Sequence, residues 1–382
     1  MASDWTTFRE QYFPITKHWV FLDHAAVAPL SLPAAEALRQ YAEDLCQHGD
    51  AHEDDWDKRI QQVRVLAAAL LHADPSEIAF VKNTSEAINF VAQGLDWRPG
   101  DNVLVAREEY PSNIYPWLNL HRYGVEVRLI PTRDARIWLD DIRAQIDQRT
   151  RLVSLSYVEF SSGFRNDLDA VGELCRQRGI LFFVDAIQGL GVLPLDVRRM
   201  PVDFCAADGH KWLLGPEGAG LFYVRACHLE RLYPIEVGWR SVLRDTEFSV
   251  IDFRLKPHAG RFECGSYNVG GLTALGASIE LIVRIGVENI SARVLELTDL
   301  LCERLTTHGW PVYSSRLERD KSGIVAVECP ADPRQAVRHC RQHGIILNQR
   351  AGRLRISPHF YNTVEELEHT VAVLNHWRRK LS

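Results

Sequence analysis

No excess of positive charge is present in this sequence. Its 44 Lys and Arg residues stand against 50 Asp and Glu, a net charge of -6, so there is no basic field to hold a polyanion and no nucleic-acid partner is expected. The opening stretch MASDWTTFREQYFPITKHWV lacks the uninterrupted apolar run of a signal peptide or a membrane span, which predicts a cytoplasmic chain without membrane contact. The eight cysteines are widely separated and form no CxxC pair, so neither a disulfide framework nor a metal site is expected. Prolines and glycines are scattered, and no internal repeat or low-complexity tract appears, which removes disordered and fibrous classes. What remains is a globular chain of 382 residues, too long for one compact core.

Between about residues 78 and 225, short apolar runs alternate with segments of helical period, the pattern of a mainly parallel sheet covered by helices in an α/β fold. Strands are predicted at 78–81, 102–106, 125–130, 152–157, 180–185, 203–207 and 220–224. The first six lead into polar loops, and open α/β sheets bind ligands outside the carboxyl ends of their strands. After about residue 265 the pattern becomes α+β: helices at 270–290 and 292–308, a strand at 322–329, a helix at 333–343, a strand at 354–357 and a helix from Thr363. Glu366 lies three positions after Thr363, the spacing of a capping box. The expected division is a large α/β domain over residues 20–260 and a smaller α+β domain made of residues 1–19 and 261–382.

The stretch LFFVDAIQGLGVLPLDVRRMPVDFCAADGHKWLLGPEGAGLFYV carries the most chemistry. One apolar run ends in Asp185 and the next ends just before Lys211, so two strand-end loops bring a carboxylate and an amine to one sheet edge. Such a pair suits a structural ion pair. It also suits pyridoxal 5'-phosphate, which needs a lysine for its Schiff base and an anion to keep its pyridine nitrogen protonated. His210, beside the lysine, is a candidate proton-handling or ring-stacking group, or else a packed polar residue.

The segments VDAIQGLG and ADGHKWLLGPEGAGLFYV resemble the signature of the class V aminotransferase-like enzymes. This fold-type I pyridoxal-phosphate family includes cysteine desulfurases, selenocysteine lyase, kynureninase and isopenicillin N epimerase. The resemblance runs from FLDHAAVAPLS to LRISPHFYNT. It implies that Lys211 is the Schiff-base lysine, Asp185 the pyridinium partner and Gln188 a donor to the cofactor phenolate. Thr84 and Ser85, in KNTSEAINFVA, match the turn that holds the cofactor phosphate; Thr-Ser before a helix also serves as an ordinary cap. Tyr110, in EEYPSNIYPW, matches the ring that stacks on the cofactor, or it packs the domain edge. Asp208 stands where desulfurases have a serine that reaches the phosphate. An ionised carboxylate there is repulsive, so it must be protonated, turned away or hydrogen-bonded through its backbone.

The resemblance further implies that Ser266, in GSYNVGG, reaches the phosphate of a neighbouring subunit, giving a homodimer with shared active sites; the same segment reads equally as a loop leading into a helix. Arg355, in RLRIS, matches the arginine that holds a substrate carboxylate, with Arg350 and Arg353 close by in sequence. His24 and Ala25 match a loop that closes over the substrate. Trp239, in VGWRS, resembles the aromatic clamp of kynureninase. The loop before Arg355 holds no cysteine, and the nearest upstream thiol, Cys340, falls in a predicted helix as a packed residue, so persulfide transfer is set aside. The expectation is an enzyme that acts on an α-amino acid through an external aldimine, with transamination ahead of carbon–sulfur or carbon–carbon cleavage and epimerisation. A catalytically silent protein that retained the fold is the non-enzyme alternative.

Overall fold

A computed structural model describes residues 5–381; residues 1–4, part of the expected smaller domain, and Ser382 lie outside this range. The strands in chain order are β1 (Val20–Phe21), β2 (Ile78–Val81), β3 (Asn102–Ala106), β4 (Glu126–Ile130), β5 (Thr150–Ser156), β6 (Leu181–Asp185), β7 (Phe204–Asp208), β8 (Gly220–Val224), β9 (Val325–Val327), β10 (Ile345–Ile346), β11 (Asn348–Arg350) and β12 (Arg353–Ile356). A seven-stranded sheet has the order β2-β8-β7-β6-β5-β3-β4. Within it β8 runs antiparallel to both neighbours and the other pairings are parallel, so β2, β3, β5, β6 and β7 end at the same edge.

The reason for the near-continuous apolar runs is burial on both faces: every residue of β2, β3, β6, β7 and β8 is buried. Alternate residues divide between two cores. Leu104, Val153, Phe182 and Val184 join the helices 53–71, 168–178 and 269–285 on one face, while Val103, Val105, Phe183 and Phe204 pack with the helix 84–94 on the other. A third core gathers Leu22, Leu297, Leu301, Val325, Cys340, Leu354, Ile356 and Trp377 around the sheet β11-β12-β9. Leu354 and Ile356 point into this core, which turns Arg355, between them, to the opposite face.

The helix expected over 270–290 instead ends at Ile285, because Gly286 adopts a φ of 88°, and a second helix leaves from Val287 at 81° to the first. The final helix starts as its capping box predicts, with Thr363 accepting from the backbone of Glu366. The two-residue strands β1 and β10 and the short β11 carry no readable alternation and were not anticipated. No single helix among the described residues is long and apolar enough to cross a membrane.

Candidate active site

The loops that follow β2, β3, β5, β6 and β7 enclose a cavity of about 420 Å³. Asp185 is the last residue of β6, where the register sets it between Ser156 of β5 and Ala206 of β7. From β7 the chain turns sharply through Gly209. A Cβ there would meet the Ala219 carbonyl oxygen at 2.6 Å and Leu275 at 2.8 Å, so only glycine fits between Asp208 and His210. The turn that bears Lys211 closes with the Leu214 N–H donating to the Lys211 carbonyl at 3.0 Å. Leu214 takes a left-handed φ of 57°, and Ser278 Oγ donates to its carbonyl at 2.7 Å. A strained residue fixed from both sides holds the lysine stem in one place.

Lys211 and Asp185 both line the cavity. Among the described residues they do not close into an ion pair, so the alternative of a structural salt bridge does not hold. Burial pushes the Asp185 carboxyl up to about 6, against the opposing effects of the Ile187 N–H and of Lys211. Burial likewise lowers the Lys211 ammonium to about 8, with Asp185 holding it up and Arg355 pushing it down. The amine sits 5.5 Å from the centroid of the Tyr110 ring, which packs edge-on against Phe160. An amine and a carboxylate held apart, with an aromatic ring beside them, fit the cofactor expected from the sequence.

At the other end of the cavity the helix Thr84–Gly94 begins. Its cap is Asn83, which accepts from the Glu86 N–H at 2.9 Å, so Thr84 and Ser85 are not used as caps. Thr84 Oγ1 accepts from the Asp208 N–H at 3.1 Å, and Ser85 Oγ donates to Ser112 at 2.8 Å. Two hydroxyls at a helix N-terminus suit a phosphate. The Asp208 carboxylate is held by its own neighbours: Oδ1 accepts from the Gly209 N–H at 2.7 Å, and Oδ2 lies 3.0 Å from His210 Nδ1. That ring nitrogen is not aligned for a hydrogen bond with it. Of the three arrangements open to Asp208, the structure combines a backbone hydrogen bond with a carboxylate engaged locally.

Gln188 is fixed at both ends of its amide. Its Nε2 donates to the Ala25 carbonyl at 3.0 Å, and its Oε1 accepts from the indole N–H of Trp212 at 2.9 Å. Indole only donates, so the amide orientation is set and the second Nε2 proton is left for the cavity. Trp212 was not singled out from the sequence, although its position next to Lys211 was a signal. Two buried acids were also missed. Glu109 accepts from the N–H and the hydroxyl of Ser156, both at 2.5 Å, and burial raises it to about 8. Glu159 accepts from Asn166 at 2.8 Å, and burial and Glu109 raise it well above the usual range. Both follow strand ends, in EEY after β3 and VEF after β5.

Arg355 lines the cavity and is buried, but it is not free. One terminal nitrogen pairs with Asp23 at 3.2 Å and the other donates to the Phe160 carbonyl at 3.1 Å, which leaves Nε buried without a partner. Burial lowers this guanidinium to about 10. Arg350 lines the same cavity, whereas Arg353 turns away to Glu328 at 2.7 Å.

Three expected residues lie elsewhere. Ala25 lines the cavity but His24 does not. His24 is fully buried, with its ring nitrogens 2.8 Å from the Ser357 carbonyl and 2.6 Å from the Tyr361 hydroxyl, because the aromatic cluster of Trp212, His359 and Tyr361 draws it inward. Ser266 is exposed and borders a separate cavity of about 270 Å³ with Lys82, Glu86 and Cys264. Its segment is pinned by Glu263, which pairs with Arg64 at 2.7 Å and accepts from Tyr267 at 2.7 Å. Trp239 lies in another apolar recess beside Phe248. No cysteine lines the Lys211 cavity, and Cys340 is fully buried with its thiol raised to about 12.

Comparison with known proteins agrees with this geometry. The model of the family described as aminotransferase class-V matches residues 20–369. A probable cysteine desulfurase of Methanothermobacter thermautotrophicus is 30% identical, with 93% of this chain and 94% of that protein covered. The apo structure of a cysteine desulfurase from Thermococcus onnurineus NA1 superposes with a TM-score of 0.91 at 26% identity, covering 100% of both chains. The complex of the cystine C–S lyase C-DES with its reaction product cysteine persulfide superposes with a TM-score of 0.88 at 25% identity, covering 95% of this chain and 99% of the other.

Proposed function

The chain belongs to the aminotransferase class-V family, and from that premise we propose that it is a carbon–sulfur lyase acting on an α-amino acid. It is a pyridoxal-phosphate enzyme, a transferase or a lyase. The observation that carries the reading is the convergence of Lys211 and Asp185, from two separate strands, on one cavity. The cofactor, when bound, supplies an electron sink for a bond broken at the substrate α-carbon.

The chain supplies the rest. Lys211 would hold the cofactor, and its Nζ would take the α-proton of the substrate. Its lowering to about 8 leaves a useful fraction of neutral amine near neutral pH. Asp185, raised only to about 6, is ionised at pH 7 and would stand opposite the cofactor ring nitrogen. Gln188 would offer its spare amide proton to the ring oxygen, Thr84 and Ser85 would hold the phosphate, and Arg355 would orient the carboxylate. Tyr110, beside the Lys211 amine, would flank the ring.

Transamination, the first expectation from the sequence, and loss of a β-substituent use these same residues. The similarity to a cystine C–S lyase and to desulfurases favours cleavage at sulfur. No thiol of this chain lines the cavity, so the sulfur leaves with the electrons of its bond to the β-carbon and is not passed to a protein cysteine. The reading places the enzyme in the cytoplasm as a homodimer, in which Ser266, outside its own chain's cavity, completes the phosphate site of a second copy.

The test is borohydride reduction of the cofactor-loaded protein followed by peptide mapping, combined with a screen of amino acids for sulfide, pyruvate and keto-acid products. The adduct is expected on Lys211 and sulfide from a sulfur amino acid. An adduct on another lysine overturns the site, and keto acids without sulfide return the reaction to transamination.

A further inference from the structure

The hairpin β11–β12 sets Asn348 opposite Arg355 and Arg350 opposite Arg353, so these four side chains share one face. Arg350 and Arg355 are diagonal neighbours, a relationship that places backbone positions roughly 7–8 Å apart, within reach of long side chains. Arg350 and Arg355 thus both reach the cavity, while Arg353 turns away to Glu328.

Their charges are cancelled unequally. Arg353 pairs with Glu328 at 2.7 Å and covers the Tyr313 ring at 3.5 Å. Arg355 pairs with Asp23 at 3.2 Å, and the other oxygen of Asp23 accepts from Asn348 at 2.8 Å. Arg350 donates only through NH1, to the Asn348 side chain at 2.9 Å and the Gln349 carbonyl at 2.7 Å, both neutral. No carboxylate among the described residues pairs with it.

The other charges around the cavity are engaged elsewhere. Asp185 and Lys211 influence each other electrostatically at the ends of β6 and β7, Asp208 lies against His210, and Glu217 is exposed at the rim. The end bounded by Arg350 and Arg355 therefore holds two positive charges and one negative, a surplus of one.

We propose that Asp23 is a specificity-determining residue: by cancelling the charge of Arg355 it leaves room for one uncompensated carboxylate, held by the charge of Arg350 beside Arg355. Amino acids with a neutral side chain are accepted, and those with a second acid on the side chain are disfavoured. The inference rests on the reading of this cavity as an amino-acid site.

The experiment uses the cofactor-loaded protein and compares Asp23→Asn with the parent. Binding of propionate and of succinate is measured by calorimetry, and turnover half-reactions are followed with L-alanine and L-aspartate. The parent is expected to prefer the monoacid in each pair. Asp23→Asn, which keeps a partner for Asn348, is expected to shift both ratios toward the diacid by about tenfold or more, the size of one partly screened charge at close range. Unchanged ratios in a variant that still captures the cofactor on Lys211 overturn the proposal while leaving the amino-acid reading intact. Failure of the parent to react with any amino acid overturns that reading instead. Should Asp23→Asn not fold, Arg350→Gln decides: loss of propionate binding with the Lys211 adduct retained supports the proposal, and unchanged propionate binding overturns it.

Discussion

The indole N–H of Trp212 donates to Oε1 of Gln188 at 2.9 Å, so the residue after Lys211 fixes the amide that Gln188 presents at the cavity. Trp212→Phe keeps most of the packing and leaves Gln188 Oε1 buried without its donor, a loss of about 1–3 kcal/mol. The amide is then free to flip. The expected outcome is a shift in the visible absorption of the loaded enzyme and a fall in kcat, with cofactor affinity little changed. An unaltered spectrum means that the orientation of Gln188 does not depend on Trp212.

The amine of Lys211 reacts only when neutral, and burial lowers it to about 8 from an ordinary value of 10.5. The rate at which cofactor-free protein captures pyridoxal phosphate should therefore rise with pH and level off above about 8. The same shift makes the ammonium costly in the folded state. That cost is fully present below about 8 and is relieved as pH rises toward 10.5, where the unfolded chain also loses its proton. Capture that keeps rising to pH 10 would show an unperturbed lysine.

Asp185→Asn removes the negative charge that we propose serves the cofactor ring nitrogen, while preserving shape. Turnover should fall far more than cofactor affinity, because the charge serves the electron sink and the phosphate end supplies most of the grip. Titration of cofactor into the variant, set beside single-turnover rates, separates the two. Equal losses mean that Asp185 chiefly builds the site.

Glu109, raised to about 8, is protonated at neutral pH. Ionisation is favoured in the unfolded chain from about 4.5 upward and in the folded chain only above about 8, so the parent carries a penalty that grows across this window and is complete beyond it. Glu109→Gln has no such penalty. Its stability relative to the parent should increase by about 1 kcal/mol between pH 7 and pH 9, read from urea unfolding at the two values. A difference that does not change with pH would show that Glu109 ionises normally.

Cys46 and Cys227 are exposed and Cys340 is buried in the third core. Alkylation of the exposed thiols should leave turnover intact. Cys340→Ala should lower stability by on the order of 1 kcal/mol, through a small cavity, without changing kcat of the folded enzyme. A trapped persulfide on any cysteine during turnover would contradict sulfur release without a protein thiol.

Local pattern determined much of this protein. The apolar runs of the large sheet are legible because strands buried on both faces must be apolar throughout, and Asp185 and Lys211 stand out because each interrupts such a run at a strand end. The capping box at Thr363 is legible because its chemistry spans four residues. Only the tertiary structure decided matters that depend on partners far away in sequence. His24 turns inward because Ser357 and Tyr361 bond its ring, more than 330 positions along the chain. Arg355 is neutralised by Asp23 across a similar separation, while Arg350, five residues before it, is not. Glu109 and Glu159 both have their carboxyls raised because two strand ends bury them near each other and near Asp185. Side-chain type and local period are written residue by residue, whereas burial and the pairing of charges are properties of the packed whole.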